Sequence, residues 1–123
     1  MSRILVVEDE PSLRMLYRGD LAEDGHEVAT ASNAQEALAQ IDALRPDLVV
    51  LDIRMPGMDG LDAMSRILER NPRTAVVLNS AFSCYKENFL SWAADAYVVK
   101  SSDTTELRET VRRVLAERER ASA

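Results

Sequence analysis

Several side chains suited to phosphoryl chemistry sit directly after short apolar runs. Glu8, Asp9 and Glu10 follow Ile4–Val7; Asp52 follows Leu48–Leu51; Asn79 and Ser80 follow Ala75–Leu78; Lys100 follows Tyr97–Val99. Carboxylate oxygens suit a hard divalent cation such as Mg²⁺, which takes one or two carboxylates and completes its shell with waters and phosphate oxygens. Asp9 and Asp52 could share such an ion, with Glu8 in an outer shell. The ion would also relieve repulsion among the clustered carboxylates. A carboxylate can itself be the nucleophile, giving an aspartyl-phosphate. Its phosphoryl oxygens would then be met by the ion, the Lys100 ammonium and the Ser80 hydroxyl.

Each residue alone has an ordinary explanation. Glu8 to Glu10 could be a solvated acidic turn, Asp52 a loop cap before Pro56, Ser80 a loop hydroxyl and Lys100 a surface charge. What resists that explanation is their shared place at the carboxyl ends of apolar runs.

Those runs are short, uninterrupted and rich in β-branched residues, as expected of strands covered on both faces. A further strand is expected at Val28–Ala31. Between them lie helical patterns. Pro11 and Ser12 open one carrying Leu13, Leu16, Tyr17 and Leu21. Gly25–His26 breaks it. Ser32 with Gln35, or Asn33 with Glu36, forms a capping box for a helix to about Leu44, stopped by Pro46. A third carries Leu61, Met64, Ile67 and Leu68, a fourth spans about Tyr85–Ala93, and a fifth is capped by Asp103 with Glu106. Five strands alternating with five helices predict an α/β fold: a parallel sheet with helices on both faces. The working site of such a sheet lies beyond the carboxyl ends of its strands.

The 123 residues suit one domain, which we place at residues 1–120 with a tail at 121–123. A net charge of −6 argues against direct nucleic-acid binding. The single cysteine, Cys84, fits a reducing compartment. The N-terminus carries only four apolar residues in a row, too few for a signal peptide or a membrane span, so a cytoplasmic location is expected.

Ile4-Leu-Val-Val-Glu-Asp-Glu-Pro11, Asp47-Leu-Val-Val-Leu-Asp-Ile-Arg-Met-Pro-Gly-Met-Asp-Gly60, Ser80-Ala81 and Ala96-Tyr-Val-Val-Lys100 resemble the motifs of response-regulator receiver domains. The resemblance spans essentially the whole chain and is most specific around Asp52. It implies a flavodoxin-like doubly wound fold with strand order 2-1-3-4-5. It implies phosphotransfer onto Asp52 from a histidine kinase or a histidine phosphotransfer protein. The resemblance also makes Glu8 and Asp9 the acidic pair and the Arg54 carbonyl a third Mg²⁺ ligand. Ser80 becomes the switch hydroxyl, Tyr97 the switch aromatic and Lys100 the phosphate-binding lysine. It places Arg54 and Phe82 where water reaches the phosphoryl group. It implies a signalling surface on the fourth helix, fifth strand and fifth helix, facing a downstream partner, a fused output domain or a second copy in a homodimer. Two departures stand out: Ser101 replaces the usual proline after the lysine, so a trans Lys100–Ser101 bond is expected, and Ala93 replaces a common glycine.

Five of the six aromatics, Phe82, Tyr85, Phe89, Trp92 and Tyr97, fall in one short segment, the first four at helical spacing. They form either a core face or, with Leu90 and Ala93 facing inward, a partner surface of Tyr85, Phe89 and Trp92; the density favours testing the surface. His26 reads as a solvated turn residue, and Cys84 as a small residue at a helix start. An aspartate-nucleophile phosphatase would want a second Asp two residues after Asp52, where Arg54 stands. A phosphorylation-independent interaction module would not require Glu8, Asp9, Asp52, Ser80 and Lys100 together. The expected function is therefore a phosphoacceptor switch, either a stand-alone receiver or one cut from a longer regulator, that catalyses only its own phosphotransfer and dephosphorylation.

Overall fold

The structure, a computed structural model, describes residues 2–52, 60–81 and 94–122. Its five strands are β1 (Arg3–Val7), β2 (Glu27–Ala31), β3 (Leu48–Leu51), β4 (Ala75–Ser80) and β5 (Ala96–Val99). They form one sheet in the order β2-β1-β3-β4-β5, every pair parallel. Four helices are seen among the described residues: α1 (Pro11–Glu23), α2 (Ala34–Leu44), α3 (Gly60–Arg70) and α4 (Thr105–Ser122). The helix expected around Tyr85–Ala93 lies outside the described residues.

Strand pleating sends alternate side chains to opposite faces and so creates two cores. Leu5, Val7, Val49, Leu51, Val76, Leu78 and Tyr97 pack against Ala37 and Ile41 of α2 and Met64 and Ile67 of α3. Ile4, Val6, Leu48, Val50, Val77 and Val98 pack against Tyr17 and Leu21 of α1 and Leu107 and Val111 of α4. β3 and β4 are buried throughout, which is why they read as continuous apolar runs. β2, at an edge, is only half-buried over most of its length.

Local chemistry sets the helix ends. Pro11 opens α1 with its φ already helical. Asn33 caps α2 by accepting from the Glu36 N–H at 2.8 Å, and Glu36 reaches back to the Ser32 N–H at 3.0 Å. Gly25, at φ +94°, makes the turn into β2. The expected start of the last helix moves. Asp103 accepts from the Thr105 N–H at 2.9 Å, but the Arg108 N–H bonds the Thr104 carbonyl, so the cap is Thr104. β4 also runs two residues further than expected, because Asn79 and Ser80 pair with Val98 and Val99 of β5.

Candidate functional site

Three charged groups meet at the carboxyl edge of the sheet because the ladder continues one residue past the strands. The Glu8 N–H donates to the Ala31 carbonyl at 3.0 Å, the Asp52 N–H to Val7 at 3.2 Å and the Lys100 N–H to Ser80 at 2.7 Å. Glu8, Asp52 and Lys100 continue the alternation of Val6, Val50 and Val98, so all three side chains follow the α1–α4 face. Their charges meet there: Lys100 Nζ lies 2.7 Å from Glu8 Oε1 and 2.8 Å from Asp52 Oδ2.

The surroundings fix this arrangement. Glu8 and Asp52 are buried. The second oxygen of Glu8 accepts from the Glu10 N–H at 3.1 Å. Arg14, one turn into α1, donates to the Glu8 carbonyl at 2.9 Å and holds the acidic turn against the helix. Burial pushes the Glu8 carboxyl above its usual range, against the pull of Lys100. Burial alone would lower the Lys100 pKa, but its hydrogen bonds to Asp52 and Glu8 prevail and push it up to about 12.

Asp9 is exposed at the mouth of the site. One oxygen each from Glu8, Asp9 and Asp52 lie within 4.8 Å of one another. Three ionised carboxylates against one ammonium would leave two negative charges, and hard oxygen donors are what Mg²⁺ selects, so the residues fit that ion.

Ser80 and Tyr97 fall on the other side of the sheet. Both follow the alternation of Val76 and Leu78, and Tyr97, paired with Leu78, is buried in the α2–α3 core. Ser80 is fully buried. The proposed switch pair thus shares one face, and the charged groups share the other. Arg54, Phe82, Tyr85, Phe89 and Trp92 lie outside the described residues, as does Cys84. The Lys100–Ser101 bond is trans, as expected for a non-proline.

One reading of a single residue needs correction. His26 is half-buried and its Nδ1 is enclosed without a partner, so it is not a solvated turn residue. Burial lowers its pKa. The spacing that put Tyr17 in the core also gave no sign that its hydroxyl would be enclosed without a partner. A phenol at a helix position otherwise held by leucines was the available signal.

Residues 4–112 match the family described as response regulator receiver domain. The chain belongs to this family. A curated relative, the positive alginate biosynthesis regulatory protein of Pseudomonas aeruginosa, is 41% identical over 89% of this chain and 46% of its own length. The response regulator protein TrrA of Thermotoga maritima, solved in complex with Mg²⁺-BeF, is 45% identical with a TM-score of 0.86, covering 93% of this chain and 99% of that one. The complex of histidine kinase ThkA with TrrA also matches, with a TM-score of 0.84 and 45% identity over 94% of this chain and 99% of that one. The receiver domain spans from a quarter to about half the length of the first curated relatives it matches. No described helix is long and apolar enough to cross a membrane.

Proposed function

We propose that residues 1–120 act as a phosphoacceptor switch in which Asp52 takes a phosphoryl group from a histidine kinase or a histidine phosphotransfer protein. The observation that carries this reading is the convergence of Glu8, Asp9, Asp52 and Lys100 at one edge of the sheet. Asp9, Asp52 and the Arg54 carbonyl would hold Mg²⁺, with Glu8 in the outer shell. When bound, the ion would offset negative charge on the carboxylates and the incoming phosphoryl oxygens.

Asp52 attacks phosphorus; a P–O bond forms as the P–N bond to the donor imidazole breaks. Lys100 already sits on Asp52 Oδ2 at 2.8 Å, so its ammonium is placed for a phosphoryl oxygen without a long excursion. The Ser80 hydroxyl supplies a second donor from the opposite face of the sheet. Tyr97 packs where a shift of Ser80 would be felt, and the surface beyond it changes. The phosphoryl group adds roughly −1.5 to −2 charges, enough to bias two existing states.

The responding surface would involve β5, α4 and the Tyr85, Phe89 and Trp92 segment. It would face a downstream protein, a fused output domain or a second copy. Val99, at the end of edge strand β5, is exposed there. The setting is cytoplasmic, and the only catalysis is the domain's own phosphotransfer and dephosphorylation.

The test is phosphate incorporation from acetyl phosphate with Mg²⁺. The wild type should take up stoichiometric acid-stable, base-labile phosphate, and Asp52→Asn should take up none. Stoichiometric uptake by Asp52→Asn would refute the assignment.

A further inference from the structure

Little holds the loop that leads from Lys100 into α4. Lys100 follows edge strand β5, where its N–H donates to the Ser80 carbonyl at 2.7 Å, and no further ladder bond follows among the described residues. The next peptide bond is trans and leads to a serine, so residue 101 keeps the φ freedom that a proline would remove. Ser101, Ser102 and Asp103 are exposed, and their contacts are local. The Asp103 N–H donates to Ser101 Oγ at 3.1 Å, and Asp103 accepts from the Thr105 N–H at 2.9 Å. Thr104 alone among residues 101–104 is buried. Its hydroxyl donates to Asp20 Oδ2 on α1, which among the described residues is the loop's one hydrogen bond to an element other than α4.

That contact is the first of two rungs between α1 and α4. One turn further on, Arg108 donates to Asp24 at 3.0 and 2.6 Å. Asp20 and Asp24 are four residues apart at the end of α1, and Thr104 and Arg108 are four apart at the start of α4, so the spacing of a helical turn matches on both sides. The rungs differ in what lies behind them. The first stands close to Lys100 in the chain, and the second lies a turn along α4, away from it. α1 also reaches the other side of the site, where Arg14 donates to the Glu8 carbonyl at 2.9 Å. One helix therefore grips both the turn that bears Glu8 and the loop behind Lys100, two residues whose side chains meet at 2.7 Å.

A lysine is a point charge on a long flexible stem, so where its ammonium rests depends on how firmly its backbone is held. We propose that Asp20 and Thr104 are positioning residues: their hydrogen bond holds the loop behind Lys100 so that the ammonium meets a phosphoryl oxygen on Asp52. The inference rests on the phosphoacceptor reading above. A hydroxyl bonded to a carboxylate is a charge-assisted hydrogen bond, and the burial of Thr104 keeps water from competing for it. Losing the bond frees the far end of the loop, and the ammonium then spends less of its time where the phosphoryl oxygen needs it. Mg²⁺, held by oxygen donors, does not depend on that reach.

The experiment measures two affinities of the full chain by calorimetry, for Mg²⁺ alone and for beryllofluoride, a phosphoryl stand-in, at saturating Mg²⁺, with thermal midpoints alongside. Thr104→Val keeps the side chain's shape and removes the donor. It should bind beryllofluoride roughly two- to tenfold more weakly and bind Mg²⁺ as wild type does. Thr104→Ser keeps the donor and should match wild type for both. Asp20→Ala removes the acceptor at a helix position that alanine suits, should repeat the loss, and decides the matter if Thr104→Val does not fold. Arg108→Gln breaks the second rung, and should lower the thermal midpoint while leaving beryllofluoride affinity unchanged. Unchanged beryllofluoride affinity in Thr104→Val and Asp20→Ala, an equal fall in their Mg²⁺ affinity, or as large a loss in Arg108→Gln overturns the inference while the phosphoacceptor reading stands. A wild type that binds no beryllofluoride at saturating Mg²⁺ overturns both.

Discussion

Lys100 Nζ stands 2.7 Å from Glu8 Oε1, a carboxylate that folding has almost wholly removed from water. Glu8 is tolerated there because the ammonium is beside it. Lys100→Met should leave Glu8 and Asp52 without their cation and cost about 3–5 kcal/mol. Adding Glu8→Gln should recover part of that loss. Urea unfolding at pH 7 measures both, and an unchanged midpoint for Lys100→Met would contradict the expectation. The pH dependence has a definite sign. The folded pKa of Lys100, about 12, exceeds its ordinary 10.5, so its contribution is complete below 10.5 and lost as pH rises through about 12. The Glu8 pKa is also raised, so the fold favours its protonated form, and that contribution fades as pH climbs through the raised value. Wild type should show the alkaline loss, and Lys100→Met should not.

Mg²⁺ should stabilise the folded chain, because the acidic cluster exists only when β1 and β3 are paired. A concentration 100 times the dissociation constant adds about 2.7 kcal/mol. The thermal midpoint of the wild type should therefore climb with Mg²⁺. Asp9→Asn and Asp52→Asn should each flatten the response, and an equal climb in both variants would remove the metal from this site.

The phosphorylated state should be comparatively long-lived. Water must attack phosphorus opposite the Asp52 oxygen, and the resemblance puts Arg54 and Phe82 beside that line. Arg54 can cover phosphoryl oxygens, and Phe82 offers nothing to orient a water. Arg54→Asn with Phe82→Ala should speed decay of phospho-Asp52 by roughly tenfold, short of the roughly hundredfold that a positioned base supplies. Equal decay in the double variant and wild type would show that these side chains do not gate the water.

The parallel sheet was legible because Ile4–Val7, Leu48–Leu51 and Ala75–Leu78 are apolar without alternation, the pattern of strands buried on both faces. The site was legible because the charged residues follow those runs directly. Contacts between distant segments were not. Arg108 grips Asp24 with hydrogen bonds of 3.0 and 2.6 Å across 84 residues, and Arg118 grips Asp95 beside β5. Nothing local marks such pairs, since each residue reads as one more surface charge on a helix or in a turn. The end of β4 was misread for a related reason. Asn79 and Ser80 look like loop residues until β5 supplies the partners that make them strand.

The division of the site by the sheet's pleat has a consequence for how this chain could be altered. Neutralising charge is the business of Glu8, Asp52 and Lys100 on the α1–α4 face, whereas Ser80 and Tyr97 pack toward α2 and α3. A wall one strand thick separates the two sets, and neighbours along β4 belong to different sides of it. Substitutions that reshape the α2–α3 packing around Tyr97 can therefore accumulate without touching the ion pairs. Packing on one face and charge pairing on the other are free to diverge independently, with the β4 neighbours Asn79 and Ser80 divided between them.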